Sequence, residues 1–213
     1  MIKFTIITLF PNLLNEFKET SIIKKAVDTG KVLIDIVDLR EFGEGKRRNV
    51  DDTVYGGGVG MVISVPVLDR AIESVISNEV NKLYTNKIIY MSPKGKVLSQ
   101  NVAREFAMTG DNVNYVVLCG HYEGIDERIF SLYDISELSI GDYILTGGEV
   151  PAMAFVDSVV RLVDGVLKDE ATVYESHTES MLEEPQYTKP FEYKGLKVPE
   201  ILLSRSSPKN WRI

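Results

Sequence analysis

Apolar positions in the first part of the chain form two short continuous runs separated by a stretch with helical spacing. The runs KFTIITLF (3–10) and KVLIDIVDL (31–39) are typical of buried strands. Between them, Pro11 occupies a favoured first helical position, and we expect a helix from there to about Thr29, with Gly30 ending it. The pattern therefore predicts a strand, a helix and a second strand in succession.

The same succession recurs after a polar, glycine-bearing segment at 41–60. The spacing predicts further strands at 87–91 and 114–120, and helices at 66–77, 100–108 and 149–165, with a short helix in GIDERIFSLY. Alternation of this kind predicts an α/β fold, with a mainly parallel sheet covered by helices on both faces.

The pattern changes after Gly165, which is a suitable residue to end the last long helix. The following residues contain several prolines and many acids, with no long periodic segment. We therefore predict one domain at 1–165, followed by an extended, partly flexible segment at 166–213.

Composition fits a globular protein, since 44% of residues are hydrophobic, 26% are charged and the mean hydropathy is -0.02. No run approaches the roughly 18 apolar residues of a membrane helix, so no membrane partner is predicted. The single cysteine, Cys119, excludes an internal disulfide and a cysteine-rich zinc site, which suits the reducing cytoplasm. With only two histidines, no metal site is predicted from the residues.

The net charge of -7 and the pI near 5.0 argue against a protein that coats nucleic acid. Basic residues are nevertheless concentrated at one place, where Arg40, Lys46, Arg47 and Arg48 lie close together in sequence. A nucleic-acid partner would therefore have to bind at a local patch.

Three predicted strands each lead into a glycine-bearing turn: YMSPKG (90–95), LCGHYEG (118–124) and SIGDYILTGGE (139–149). The carboxyl ends of parallel strands meet at one sheet edge, where ligands bind. None of the turns is a dinucleotide fingerprint or a Walker A loop. The acids Glu123, Asp142 and Glu149 would repel a polyphosphate and favour a neutral or cationic ligand. The alternative is that these are only tight turns.

Together with RRNVDDTVYGGGVGM, the segments YMSPKG, LCGHYEGIDERI and SIGDYILTGGEVPAM closely resemble the TrmD family, from Met1 to about Leu203. Its members are bacterial tRNA (guanine-N1)-methyltransferases of the SPOUT class. The resemblance implies a deep trefoil knot at about 87–151 that holds S-adenosyl-L-methionine, a sulfonium cation without phosphate. It also implies a homodimer with shared active sites, tRNA as partner, and Mg²⁺ assisting catalysis.

The resemblance assigns the cofactor site to all three turns. The implied cofactor-binding residues are Tyr90, Met91, Ser92, Pro93, Gly120, Tyr122, Glu123, Gly124, Ser139, Ile140, Gly141, Tyr143, Leu145, Gly147, Gly148 and Pro151.

The implied reaction is methyl transfer to N1 of the guanine immediately 3′ of the anticodon. It needs a carboxylate that removes the N1 proton and a cation near O6. Arg161 matches the family's arginine, although a solvated helix charge is the alternative. Glu175 stands where the family usually has an aspartate base. The other acids of this segment are alternatives: Glu170, Glu179, Glu183 and Glu184.

A second glycine-rich segment matches a family loop that approaches the substrate RNA and lies near the dimer interface. The implied RNA-contacting residues are Arg48, Asp52, Tyr55, Gly56, Gly57 and Gly58. A glycine-rich surface turn is the reading that the residues alone would favour.

Two further interpretations remain open. Cys119 and His121 would point to the same side of a strand and could form a nucleophilic pair, although a buried, packed cysteine is the stronger reading. The resemblance also leads us to expect a helical C-terminal domain beyond VPEILLS, whereas this sequence reads LLSRSSPKNWRI to its end. The alternative function is therefore a knotted S-adenosylmethionine-binding protein without tRNA activity, or one with another RNA substrate.

Overall fold

The computed structural model describes residues 1–110, 112–168 and 185–203. The chain divides into two compact units, Met1–Asp169 and Glu170–Ile213. The proposed base Glu175 and the neighbouring acids Glu170, Glu179, Glu183 and Glu184 lie outside the described residues.

The core of the first unit is a five-stranded sheet in which every neighbouring pair is parallel, as the sequence predicted. The described strands of this unit are β1 (Ile2–Thr8), β2 (Val32–Asp38), β3 (Asp51–Thr53), β4 (Met61–Ile63), β5 (Thr85–Val97), β6 (Val113–Leu118) and β7 (Ile135–Ser139). The sheet order is β2-β1-β6-β5-β7, which brings β5, β6 and β7 together at one side.

Helices cover both faces of this sheet, which confirms the predicted α/β class. The described α-helices are α1 (Pro11–Lys18), α2 (Ser21–Asp28), α3 (Val65–Ile76), α4 (Gln100–Ala107), α5 (Ile129–Leu132) and α6 (Glu149–Val160). Helices α1, α2, α4 and α6 pack on one face, whereas α3 and α5 pack on the other. None of these helices is long and apolar enough to cross a membrane, a finding that covers the described residues only.

Side chains of the central strands alternate between two hydrophobic cores. On β6, Tyr115 and Val117 face the core shared with α6, whereas Val116 and Leu118 face the core shared with α3. All of β6 is buried, because each face carries a layer of helices. This explains why the strand reads as a continuous apolar run.

Several predicted boundaries were wrong. The stretch expected as one helix from Pro11 to Thr29 forms two, because Thr20 is extended (φ -108°, ψ 131°). The helix expected over 149–165 ends at Val160. Residues 51–63, most of which belong to the polar, glycine-bearing segment at 41–60, form an antiparallel hairpin of β3 and β4 that the sequence did not predict.

The second unit contains a small antiparallel hairpin of β8 (Glu192–Tyr193) and β9 (Leu196–Lys197). Lys194 and Gly195 form its turn with positive φ angles of 53° and 81°. A 3-10 turn follows at Glu200–Leu203. The segment expected to be extended therefore contains local structure.

Candidate functional site

The three glycine-bearing loops that follow the pairing segments of β5, β6 and β7 enclose one cavity of about 290 Å³. Every residue that the resemblance assigned to the cofactor loops lines this cavity. Four further residues also line it: His121, Leu138, Ile144 and Thr146. The cavity exists because these strands are parallel neighbours, so their carboxyl ends meet at one edge.

The first loop is a bulge within β5 rather than a connection after it. Met91 and Lys96 both align with Leu138 of β7, so the four residues between them project from the sheet. A Cβ at Gly95 would lie 2.4 Å from the backbone carbon of Glu137, so only glycine lets the strand return there. Ser92 is buried, and its Oγ accepts a hydrogen bond from the amide of Lys94 at 3.2 Å.

The second loop turns sharply after β6. Tyr122 has a φ of 59° and Gly124 a φ of 123°, and the Gly124 amide donates to the carbonyl of His121 at 3.0 Å. A Cβ at Gly120 would lie 2.7 Å from the hydroxyl of Tyr90. The missing side chain at Gly120 therefore makes room for Tyr90, which brings the first and second loops into contact.

The third loop lies directly against the second. The Gly148 amide donates to the carbonyl of Gly120 at 2.8 Å. A Cβ at Gly148 would lie 2.6 Å from the Cα of Cys119, so the two backbones meet without space for a side chain. Earlier in this loop, Gly141 has a φ of 146° and donates its amide to Ser139 Oγ at 3.2 Å.

A buried hydrogen-bond chain that sequence reasoning missed lies beneath these loops. His121 Nε2 lies 2.7 Å from Glu149 Oε2, and the Thr8 hydroxyl donates to Glu149 Oε1 at 2.7 Å. Thr8 and Glu149 are 0% and 4% exposed. No sequence signal identified this pairing, because the three residues come from separate parts of the chain.

The proposed Cys119–His121 pair is not supported by this geometry. The bonded partner of His121 is Glu149, and Cys119 is packed within the core on the α6 face of the sheet. Burial, with a smaller contribution from the charge of Glu149, raises the pKa of the Cys119 thiol well above its ordinary value. A neutral, buried thiol is a poor nucleophile.

Of the three loop acids expected to select the ligand, one lines the cavity. Glu123 lines the cavity, whereas Asp142 lies outside the lining and Glu149 is buried in its bonds to Thr8 and His121. Among the described residues, no Lys or Arg lines the cavity. Its glycine backbone and apolar side chains, with one carboxylate, suit a compact ligand that is neutral or cationic rather than a polyphosphate.

The segment that was expected to contact the substrate RNA forms an exposed hairpin beside the cavity. The Glu123 amide donates to the carbonyl of Met61, and the Ile63 amide donates to the carbonyl of Gly124, both at 3.0 Å. These bonds fasten β4 to the second loop, so the tip of the hairpin belongs to the same edge of the sheet as the cavity. Tyr55 at this tip is 96% exposed.

The other residues of this segment shape the hairpin. Arg48 precedes β3 with a φ of 52°, and Asp52 Oδ1 accepts from the Thr53 amide at 2.7 Å. Gly56 and Gly57 have φ angles of 90° and 80°, and no neighbouring atom of the described residues lies within 4 Å of an added Cβ. Gly58 has no positive φ, and an added Cβ would lie 3.5 Å from Val54 Cγ1. Backbone conformation explains the first two glycines, whereas nothing in the structure explains Gly58.

The proposed catalytic arginine lies away from the cavity of its own chain. Arg161 is partly buried at the C-terminal end of α6, whereas Pro151 near the N-terminal end of α6 lines the cavity. Their separation of ten positions corresponds to about 15 Å of helix. Arg161 therefore does not line the cavity, and the structure does not bring it together with the cofactor-loop residues.

Among the described residues, no group of three or more His, Cys, Asp or Glu side chains is arranged to hold a metal ion.

Comparison with known proteins identifies relatives along almost the entire chain. Residues 2–212 match the family model described as tRNA (Guanine-1)-methyltransferase TrmD. The tRNA (guanine-N(1)-)-methyltransferase of Clostridioides difficile (strain 630) is 44% identical over 214 residues, covering 99% of this chain and 90% of the relative. That of Malacoplasma penetrans (strain HF-2) is 46% identical over 202 residues, covering 95% and 85%.

A solved structure agrees with the fold described above. The crystal structure of tRNA (m1G37) methyltransferase from Aquifex aeolicus matches with a TM-score of 0.79 and 36% sequence identity. The match covers 96% of this chain and 83% of the other.

Proposed function

The chain belongs to the TrmD family of tRNA (guanine-N1)-methyltransferases, and from that premise we propose that it transfers a methyl group to N1 of the guanine immediately 3′ of the tRNA anticodon. S-adenosyl-L-methionine is the proposed methyl donor, bound in a trefoil knot at about 87–151. The observation that carries the proposal is a cavity that all three cofactor loops line together.

The cavity residues fit this donor chemically. At Gly120 and Gly148, an added Cβ would meet Tyr90 or the backbone of the neighbouring loop. Tight backbone turns of this kind offer amide and carbonyl groups to an adenosine and an amino acid. Glu123 lines the cavity and the described lining residues include no Lys or Arg, which favours a ligand with a positive centre. When bound, the sulfonium of S-adenosylmethionine supplies an electrophilic methyl group.

We assign the proton transfer to Glu175 and the charge stabilisation to Arg161. Guanine N1 carries a proton, so its lone pair becomes available only when a base accepts that proton. The Glu175 carboxylate would take the N1 proton, while the Arg161 guanidinium stabilises negative charge that develops on O6. The N1–methyl bond forms as the sulfur–methyl bond breaks, and the electron pair of that bond stays on sulfur.

The position of Arg161 supports a homodimer in which each site is completed by a second copy. Within one chain, about 15 Å of α6 separates Arg161 from Pro151 at the cavity. A second copy, arranged about a two-fold axis, would supply its own Arg161 to this cavity. This arrangement accounts for a catalytic residue placed far from the cofactor loops of its own chain.

The exposed hairpin is the proposed RNA contact. Tyr55 offers an aromatic face for base stacking, and Arg48 adds a cation to a protein that is acidic as a whole. Asp52 and the positive-φ residues Gly56 and Gly57 shape that surface, and Gly58 is proposed to contact the RNA beside them. We place the reaction in the cytoplasm, since the one cysteine, Cys119, is free.

Single-turnover transfer of labelled methyl tests the proposal. Native protein should methylate an unmodified tRNA with guanine at the target position, and not the same tRNA with adenine there. Glu175→Gln and Arg161→Ala should each lower the rate at least about 10²-fold. Reactions with and without added Mg²⁺ test the assisting ion.

If native protein does not methylate tRNA, calorimetry with S-adenosylhomocysteine shows whether it still binds the cofactor. Binding without transfer to tRNA would replace the proposal by the alternative, a cofactor-binding relative with another RNA substrate or none. Absence of both binding and transfer would remove the cofactor assignment altogether. Transfer that survives Glu175→Gln would move the base to another residue.

A further inference from the structure

The buried chain Thr8–Glu149–His121 joins three separate parts of the first unit at the cavity. Thr8 ends β1, Glu149 begins α6, and His121 belongs to the second loop. Only His121 lines the cavity, and its side chain is 16% exposed, whereas the Glu149 side chain is 5% exposed. We propose that Thr8 and Glu149 are positioning residues, which fix the His121 ring and thereby the shape of the cofactor cavity.

The Phe10 amide, a donor only, determines the direction of each hydrogen bond from Thr8 to His121. The Phe10 amide donates to Thr8 Oγ1 at 2.9 Å, so the Thr8 hydroxyl hydrogen is directed to Glu149 Oε1 at 2.7 Å. The other carboxylate oxygen, Oε2, then accepts from His121 Nε2 at 2.7 Å. A carboxylate in this position selects the imidazole tautomer with hydrogen on Nε2. The orientation and the tautomer of His121 therefore have a common cause.

The surroundings leave His121 little freedom to turn. The Phe10 ring lies with its centroid 5.0 Å from that of His121. A Cβ at Gly147 would lie 2.2 Å from His121 Nε2, so the third loop approaches the ring closely because residue 147 has no side chain. His121 is thus enclosed by Phe10, which follows β1, and by the third loop, while one surface remains at the cavity.

Glu149 is suited to this role by its position in α6. It is the first residue of that helix, where the helix dipole favours a negative charge. Both of its oxygens are hydrogen-bonded, as a buried carboxylate requires. Removing one donor would leave an oxygen without its partner, and the side chain would shift or take up water. His121 would then lose its support although no residue that lines the cavity had been substituted.

This inference rests on the proposed function, which supplies the ligand. Thr8 does not line the cavity, so a matched pair of variants at this position tests the inference. Thr8→Val keeps the shape of the side chain and removes the hydroxyl, whereas Thr8→Ser keeps the hydroxyl. We expect Thr8→Val to weaken S-adenosylhomocysteine binding about tenfold, and Thr8→Ser to bind like the native protein. Thermal unfolding of each variant shows that it is folded at the assay temperature.

A purely structural role would give another result. Thr8→Val would then unfold at a lower temperature and bind S-adenosylhomocysteine with native affinity, which overturns the inference. His121→Gln is the second variant, since its amide can still donate to Glu149. We expect it to bind more tightly than His121→Ala. The effects of Thr8→Val and His121→Gln should also be less than additive, because both act through Glu149.

A readout without cofactor separates this inference from the proposed function. In nitrogen-15 spectra of native protein, His121 should show a single Nε2-protonated tautomer, and Thr8→Val should show averaging between tautomers. Comparison with His121→Gln assigns the signals, since the chain has two histidines. Averaged tautomers in native protein would overturn the inference. A fixed tautomer without S-adenosylhomocysteine binding would overturn the proposed function and leave the positioning chain in place.

Discussion

The amide of Gly148 donates a hydrogen bond to the carbonyl of Gly120 at 2.8 Å, which joins the third loop of the cavity to the second. The contact is possible because both residues lack a side chain. A Cβ at Gly148 would lie 2.6 Å from Cys119 Cα, and one at Gly120 would lie 2.7 Å from the Tyr90 hydroxyl. The walls of the cavity are therefore held together by backbone packing.

Gly148→Ala should weaken S-adenosylhomocysteine binding at least about tenfold. The added methyl group meets backbone atoms of Cys119 and Gly120, which cannot rotate away as a side chain can. The third loop must move outward, and the Gly148–Gly120 hydrogen bond lengthens. Calorimetry at a temperature where the variant is folded measures the effect.

Gly58→Ala is the matched control for cofactor binding. Its Cβ would lie 3.5 Å from Val54 Cγ1, an ordinary contact, and Gly58 is on the hairpin rather than in the cavity wall. We expect native affinity for S-adenosylhomocysteine. If the two variants bound equally well, close packing of the two loops would not determine the shape of the cavity.

The thiol of Cys119 should resist alkylation in the folded protein. Burial raises its pKa, so little reactive thiolate forms near neutral pH. Intact mass after maleimide treatment reads the result directly, because the chain has one cysteine. We expect modification only after denaturant is added, and Cys119→Ala should retain methyl transfer. Loss of transfer at a temperature where this variant is folded would restore the Cys119–His121 hypothesis.

Stability should fall at high pH because of Tyr90. Burial, with smaller contributions from Glu137 and Glu127, raises the pKa of Tyr90 from 10.0 to about 12. The folded state then holds the phenol proton more tightly than the unfolded chain. This contribution to stability is complete below about pH 10 and is lost as pH rises toward 12. Tyr90→Phe should therefore lose less stability than native protein between about pH 9 and about pH 11 in urea unfolding. Equal losses would show that Tyr90 titrates normally.

Mixing two defective proteins should restore methyl transfer. Arg161→Ala removes the charge that one copy is proposed to supply, whereas Gly148→Ala disrupts the cavity of the other. After subunit exchange at equal amounts, half of the dimers are mixed, and each has one intact site. Activity should then rise to about a quarter of the native value per chain. If each site were built within one chain, the mixture would be no more active than the average of its components.

Tyr55→Ala should weaken RNA binding without affecting cofactor binding. The side chain is 96% exposed at the tip of the β3–β4 hairpin, and stacking on a base contributes about 1–3 kcal/mol. We expect a KM for tRNA raised about fivefold or more, with native affinity for S-adenosylhomocysteine. Tyr55→Phe keeps the aromatic face and is the matched control. An unchanged KM in Tyr55→Ala would place the RNA contact elsewhere.

Local patterns were sufficient to predict much of the fold. The buried strand β6 is apolar at almost every position, because helices cover both faces of the sheet, and this pattern is visible in sequence. The glycines of the three loops also carried a local signal. Gly124 and Gly141 have positive φ angles, which glycine adopts without strain, so the residue type itself predicts a turn there. Such features depend on interactions between residues close in sequence, so they can be predicted without the tertiary structure.

The sequence alone determined the α/β class, the parallel sheet and the loops that line the cavity, since strand periodicity, turn residues and motif matches are all local. Only the tertiary structure decided which side chains meet. Thr8, His121 and Glu149 are far apart in sequence, and their hydrogen bonds depend on the order in which β1 and β6 pair. Likewise, the return of β5 at Gly95 depends on close packing against the backbone of Glu137 in β7, a contact that local propensity cannot predict.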